Sequence, residues 1–364
     1  MTPKPKAILL TNSPAPYREP VYERLARLDV DLVVVYCTVR EPQREWKFSL
    51  GDYPRRFLQG RMLGLGETPI HFSRGVGRLL SEEAADVVIT GGFSPPMLRA
   101  FFWARMHGRP HIAFSDATII SEKNLGLAHR VARRIVHRRS AACVGAGLQT
   151  LDYFRSYGVP EEALFRSCLT VATERFSVLP FDERPYDVMF SGRFVERKMP
   201  LFFAEICCRL ADRRGSCRAL VLGSGPLEED FRAAMRHPGL TAEFAGFVDQ
   251  ETLPEYYASA KILAFPTLGD TWGVVANEAC AAGTPVSVSR FAGVAGDLVQ
   301  DRINGRILEL DPAVWTSAAE ALLDRRDDWG RFSGAARRSA ESLTFDAAAS
   351  GLRDAIHFAL RSQS

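Results

Sequence analysis

The stretch from Ile262 to Val288 reads ILAFPTLGDTWGVVANEACAAGTPVSV. Ile262–Phe265 is a short continuous apolar run, the pattern of a strand covered on both faces. A loop of proline, glycine and polar residues follows, then an apolar helical segment that Gly283-Thr284-Pro285 ends before a second strand, Pro285–Val288. Strand, loop, helix and strand in that order form one unit of a parallel sheet. The helix carries a single charge, Glu278, and no Lys or Arg occurs from Thr271 through Ser289 to neutralise it. An ionised carboxylate buried without a partner is very costly, so either solvent or something other than protein is expected to satisfy Glu278. An acid beside a helix N-terminus suits a ligand that brings hydroxyls to the acid and a phosphate to the free N–H groups.

The same alternation runs outward through the chain. Strands are expected at Ala7–Thr11, Leu32–Tyr36, Val87–Thr90, His111–Phe114 and Ala142–Val144, and again at Asp187–Ser191, Ala219–Leu222, Thr241–Ala245, Ile262–Phe265 and Pro285–Val288. Amphipathic segments lie between them at Pro20–Leu28, Leu98–Met106, Leu127–Arg139, Pro200–Arg213 and Leu227–Arg236. Two successive runs of this kind predict an α/β protein of two doubly wound domains. The charge- and proline-rich stretch Thr173–Pro185 marks the boundary, giving domains of 1–176 and 177–345, with 346–364 packing back on the first. In such sheets ligands bind at the carboxyl ends of the strands, so the loops after the strands are the places to search.

Composition narrows the class. A hydrophobic fraction of 46% over 364 residues is that of a globular protein, not a disordered one, with room for two domains. No apolar run approaches membrane-spanning length, and MTPKPKAILLTNSPAPYREP reads as a first strand and loop, not a signal peptide. Seven cysteines without a C-x-x-C fit reduced thiols, with neither a disulfide framework nor a metal site, and a cytoplasmic location. Residues 1–172 hold 24 Lys+Arg against 16 Asp+Glu, whereas the remainder holds 22 against 27. The basic half is expected to face an anionic surface or acceptor. His129–Arg139 carries five arginines and no acid. That segment is either a solvated face or a contact with anionic membrane at the inner face. It lacks the interleaved aromatics of a nucleic-acid site.

Three loops of the second half hold the candidate chemistry. Ser191–Lys198, SGRFVERK, follows a strand and brings Arg193 and Lys198 to the sheet edge, where they would clamp a diphosphate. The alternative is a solvated loop in which Glu196 pairs Arg197. Gly223-Ser224-Gly225-Pro226 contains G-x-G without the full dinucleotide fingerprint, which disfavours a nicotinamide cofactor and suggests a tight turn. Asp270 and Glu278 flank the helix start between them, an arrangement for a sugar hydroxyl, a phosphate and a ribose. Otherwise Asp270 caps the helix and Glu278 is a surface charge.

At these residues the chain resembles the retaining GT-B glycosyltransferases of family 4, the glycosyl transferases of group 1. D-x7-E followed by ACAAGTPV is similar to their E-x7-E signature, and SGRFVERK to their G-R-x-x-x-x-K diphosphate segment. LVLGSGPLEEDF resembles their glycine turn, EFAGFVDQETLPEYYASAKILAFPT their base-binding stretch, and NSPAPYREPVYERL their opening loop. The resemblance implies the GT-B fold, two Rossmann-like domains facing each other across a cleft that closes to exclude water. It implies transfer of a hexose-type sugar from a nucleotide diphosphate sugar, a UDP- or GDP-sugar, to a saccharide, lipid-linked or small-molecule acceptor in bacterial polysaccharide or glycolipid synthesis. Neither cofactor nor metal is implied.

By the same resemblance, Arg193 and Lys198 would hold the diphosphate and Glu278 the ribose. Asp270 would hold the transferred sugar with Thr271, Trp272, Gly273 and Val274, and Gly192, Gly246, Phe247 and Val248 would complete the donor site. Asp270 stands where the family has Glu, one methylene longer. In the first half Asp116, after a strand, is the candidate for orienting acceptor or donor hydroxyls, against a helix-capping role. Tyr17, Arg18 and Gly92 are the acceptor-side candidates, against plain turns. A nucleotide-sugar epimerase would want further acid/base side chains in the site, and a non-catalytic binding subunit would lack the phosphate cations or the acidic pair.

Overall fold

The β-branched runs become two parallel sheets in a computed structural model that describes residues 3–41, 49–63 and 70–362. The chain divides into two units, Met1–Leu169 with Thr344–Ser364, and Thr170–Leu343. The divisions fall seven residues before the expected 176/177 boundary and two before 345/346.

In the first unit β1 (Lys6–Thr11), α1 (Glu19–Arg27) and β2 (Asp31–Tyr36) are followed by β3 (Arg55–Phe57), β4 (Gly60–Leu63) and β5 (Ile70–Ser73). Then come α2 (Val76–Glu82), β6 (Val87–Thr90), α3 (Pro95–Met106), β7 (His111–Ser115) and α4 (Leu127–Arg139), closing with β8 (Ala142–Gly145), α5 (Leu148–Ser156) and β9 (Leu164–Arg166). Seven strands pair in parallel in the order β3-β2-β1-β6-β7-β8-β9, while β4 and β5 form a separate antiparallel pair. Ile8, Leu10, Val33, Val35 and Val88 pack one face of the sheet against Val76, Leu80, Met97 and Ala100.

In the second unit β10 (Tyr186–Ser191), α6 (Pro200–Arg214), β11 (Cys217–Leu222), α7 (Glu228–Ala234) and β12 (Leu240–Gly246) come first. They are followed by α8 (Leu253–Ala258), β13 (Ala260–Phe265), α9 (Val274–Ala281), β14 (Val286–Ser289), β15 (Gly305–Leu308), α10 (Pro312–Asp324) and α11 (Arg326–Ser342). The sheet order is β12-β11-β10-β13-β14-β15, all parallel. Phe190, Phe203 and Phe231 meet at centroid distances of 5.5 to 6.2 Å in its core. The last helix, α12 (Phe345–Arg361), returns to the first unit and packs on α1, β8 and β9.

The stretch read as a linker holds one of the best-buried charges in the protein. Arg184 is 1% exposed. Its guanidinium donates to the carbonyls of Leu179, Ala260 and Ala282 at 2.7–2.9 Å and to Thr284 Oγ1 at 2.6 Å, and it lies over the Trp329 ring. Burial lowers its pKa to about 10, still well above neutral pH. The charge is satisfied by carbonyl dipoles instead of a carboxylate, and it ties the segment before β10 to β13 and to the end of α9. All seven cysteines are free thiols. Among the described residues no helix is long and apolar enough to cross a membrane.

Candidate functional site

Because the second sheet is parallel, the loops after β10, β11, β12, β13 and β14 emerge at one edge, and backbone hydrogen bonds join them. Gly192 N–H donates to Leu222 O, Gly223 N–H to Gly246 O, and Phe194 N–H to Ser224 O. The loop after β13 is held on both sides: Leu268 N–H donates to Arg197 O, while Asp270 N–H donates to Phe291 O and Gly293 N–H to Asp270 O. The glycine turn is more than a turn. A Cβ on Gly223, whose φ is +115°, would lie 2.1 Å from the Gly192 carbonyl oxygen. Only glycine lets these two loops approach so closely.

This framework brings Lys198 and Asp270 together, although 72 residues separate them. The Lys198 ammonium pairs with Asp270 Oδ2, and the Arg197 guanidinium stands 3.9 Å from the same oxygen. Burial by itself would raise the Asp270 pKa, but the Lys198 charge and hydrogen bond, with Arg197, outweigh it and hold the carboxyl below the usual range. Arg197, itself exposed, donates to Gly269 O at 2.8 Å, which ties this loop to the one after β13. Lys198 also lies 5.1 Å from the Phe265 ring centroid, against an apolar wall. Arg193 is exposed at the same edge of the sheet.

Asp270 does not cap α9. The N-cap is Gly273, at φ +112°, where a Cβ would meet the Phe265 ring at 2.3 Å, and no side chain caps the helix. The first N–H groups of α9 are thereby left for another acceptor. Trp272 is buried, its Nε1 donating to Asn277 Oδ1 at 2.7 Å, whereas Thr271 is exposed and Val274 half-buried. Gly246 ends β12 at φ +69°, followed by exposed Phe247 and half-buried Val248.

The expectation for Glu278 needs correction. It is 7% exposed, and it has a protein partner: the Tyr257 hydroxyl of α8 donates to its Oε2 at 2.6 Å and lies 2.8 Å from Ser191 Oγ. Reading only the helix and its flanks for cations overlooked a neutral donor from the preceding helix. One tyrosine hydroxyl supplies one hydrogen, too little for a carboxylate with four lone-pair sites. Burial therefore raises the Glu278 pKa to about 7, with the Tyr257 hydrogen bond acting in the opposite sense. The surface-charge alternative is excluded by this burial.

In the first unit Arg18 and Asp116 meet. The Arg18 guanidinium donates to Asp116 Oδ1 at 2.8 Å and to Ser167 O at 3.1 Å, and it sits 4.5 Å from the Phe114 ring centroid. Arg18 is buried and Asp116 half-buried. Asp116 is thus an oriented carboxylate just past the end of β7 and not a helix cap, because the next helix, α4, starts only at Leu127 with Gly126 as its N-cap. Tyr17 is half-buried beside Arg18, and Gly92 follows β6 at φ +134°. Arg197, Tyr257 and Ser191 are the site residues that sequence reading missed. Nothing in the spacing of Arg197, Tyr257 or Ser191 signals these contacts.

Residues 185–325, which hold Arg193, Lys198, Asp270 and Glu278, match the family model described as "Glycosyl transferases group 1". This stretch of the second unit is similar to the group 1 glycosyl transferases. A relative in Streptomyces coelicolor named D-inositol 3-phosphate glycosyltransferase is 30% identical over 186 residues, which cover 48% of this chain and 40% of that protein. The chain therefore aligns with less than half the length of this curated relative. Two solved structures show the fold from end to end. Sucrose-phosphate synthase from Thermosynechococcus elongatus superposes with a TM-score of 0.72 at 15% identity, covering 99% of this chain and 100% of that one. HepE of Anabaena, in complex with UDP and glucose, superposes with a TM-score of 0.69 at 16% identity, covering 97% and 98%. The chain accordingly has the GT-B fold, with two Rossmann-like domains.

Proposed function

We propose that this protein is a retaining glycosyltransferase that moves a hexose-type sugar from a nucleotide diphosphate sugar to a saccharide, lipid-linked or small-molecule acceptor. The observation that carries the reading is the Lys198–Asp270 pair beside the uncapped start of α9, within the family-matched unit. A diphosphate entering this edge would meet Arg193, Lys198 and the first N–H groups of α9. Those cations and dipoles stabilise the charge that develops on the departing nucleoside diphosphate. Lys198 then turns part of its charge from Asp270 to phosphate, leaving Asp270 to accept hydrogen bonds from hydroxyls of the transferred sugar.

Glu278, short of donors, accepts hydrogen bonds from the ribose hydroxyls, and Gly246, Phe247 and Val248 lie along the base. HepE bound to UDP and glucose supports the nucleotide class. In the first unit Asp116, held by Arg18, keeps its second carboxylate oxygen for an acceptor or donor hydroxyl. Retention follows from attack on the face the diphosphate leaves, with the departing phosphate taking the acceptor's proton. Calorimetry of nucleoside diphosphate binding to the native chain, Arg193→Ala and Glu278→Ala tests the donor site. Unchanged affinity in either variant refutes it. A product of inverted anomeric configuration refutes retention.

A further inference from the structure

The outer face of α4 is built differently from a solvated helix. Its inward side carries Val136, His137 and Arg133. Arg133 is the one arginine of the five that turns in, bonded to Glu122 and stacked over Phe93. Its outward side carries Leu127, Val131 and Ile135, which are 79%, 48% and 42% exposed. Spaced four residues apart, they form a stripe along one face of the helix. Arg130 and Arg134 fall on one flank of this stripe, Arg138 within it and Arg139 on the other flank.

Nothing acidic answers these charges. No Asp or Glu occurs from Lys123 through Leu151. Among the described residues Arg134, Arg138 and Arg139 make no ion pair, and Arg130 donates to the carbonyl of Lys123. A solvated helix face places polar residues outward, and a protein docking site would need acids to match four arginines. An apolar stripe rimmed by uncompensated cations complements a surface that is apolar beneath and anionic on top.

We propose that the outer face of α4 docks on an anionic phospholipid bilayer, with Leu127, Val131 and Ile135 entering the interface and the arginines snorkelling to phosphates. This rests on the first unit alone and stands whether or not the proposed glycosyl transfer is correct. It also gives a use to four of the arginines behind the basic excess of the first half of the chain.

Sedimentation of the full chain with vesicles tests it, comparing phosphatidylcholine alone with phosphatidylcholine doped with phosphatidylglycerol. The native protein should sediment with the anionic vesicles, and added salt should weaken binding. Substituting Arg134, Arg138 and Arg139 together by Gln should lower affinity by about a hundredfold at low salt, at about fivefold per charge. Leu127→Ser with Val131→Ser and Ile135→Ser should lower it by about tenfold or more with the charges intact. All these side chains are exposed, and Leu127→Ser alone serves as a milder variant should the triple change unfold the chain. Failure of the native protein to bind anionic vesicles overturns the proposal. So does equal binding to phosphatidylcholine alone, or unchanged binding of folded apolar variants. Self-association or capture of an RNA oligonucleotide through this face, without vesicle binding, also overturns it.

Discussion

Replacing Glu278 by Gln keeps the shape of a buried side chain and removes its charge, which isolates the cost of the half-satisfied carboxylate. In the folded protein Glu278 titrates at about 7 against an ordinary 4.5, chiefly because it is buried. A raised folded pKa means that the native state holds the proton more tightly than the unfolded chain. The stabilising contribution of the protonated carboxyl is complete below pH 4.5 and is lost as pH climbs through about 7. By linkage the loss amounts to about 3 kcal/mol on the alkaline side, at about 1.4 kcal/mol per pH unit of separation. Gln has no such term. Urea denaturation of both proteins at acid and mildly alkaline pH, followed by fluorescence of Trp272, Trp315 and Trp329 in the second unit, gives the comparison. The native chain should lose about 3 kcal/mol more than Glu278→Gln across that window. Any constant cost of placing the amide cancels in this difference of differences. Parallel pH profiles for the two proteins would refute the assignment of an under-satisfied buried acid, and with it the argument that Glu278 awaits a ligand's donors.

If ribose hydroxyls complete the Glu278 site, they favour its ionised form. Nucleoside diphosphate binding near neutral pH should then release protons, seen as a dependence of the calorimetric enthalpy on the ionisation heat of the buffer and absent in Glu278→Gln. Lys198→Ala should weaken nucleoside diphosphate binding by about tenfold or more, measured by calorimetry, because a charged hydrogen bond in a water-poor site is lost. Arg184→Met strands three buried carbonyls and Thr284 and should cost about 3 kcal/mol or more in denaturant titrations, without being part of the site. Gly223→Ala should destabilise by about 2 kcal/mol or more, through both the clash with Gly192 and its positive φ. Gly330→Ala on open α11 should stabilise by up to about 1 kcal/mol, and thermal melts check both.

Most of the expected strands were legible because they are short apolar runs, although β12, at a sheet edge, carries Glu243 and β14 alternates Val with Ser. All ten expected ones form, within about two residues of their expected limits. The sequence did not disclose β3, β9 and β15, whose RRF, LFR and GRIL are short and sit at the sheet edges, half in solvent. Edge strands are specified by the neighbour they pair with more than by their own composition. The β4–β5 pair went unseen for a related reason, its residues being largely exposed. In the site, the residue types and the loops they occupy could be read from spacing, but their partners could not. Lys198 with Asp270, Arg18 with Asp116, and Tyr257 with Glu278 are separated by 72, 98 and 21 residues. Arg184 shows the reverse error. A charge in a proline-rich stretch reads as solvent-facing, yet its carbonyl partners make it part of the core.

The path of α12 has a consequence for how the protein is made. The unit spanning Thr170–Leu343 is continuous in sequence, so it can complete its sheet as soon as it clears the ribosome. The first unit begins earlier and finishes later. Ala348, Leu352, Ala355, Ile356 and Ala359 of helix α12 emerge only after the second unit, and until then the surface of α1, β8 and β9 that they cover stays open to water. A nascent chain thus carries a finished family-matched unit beside an unsealed one. A stop codon just before Phe345 would spare the candidate donor site while leaving a hydrophobic seam for chaperones, or for aggregation, to find.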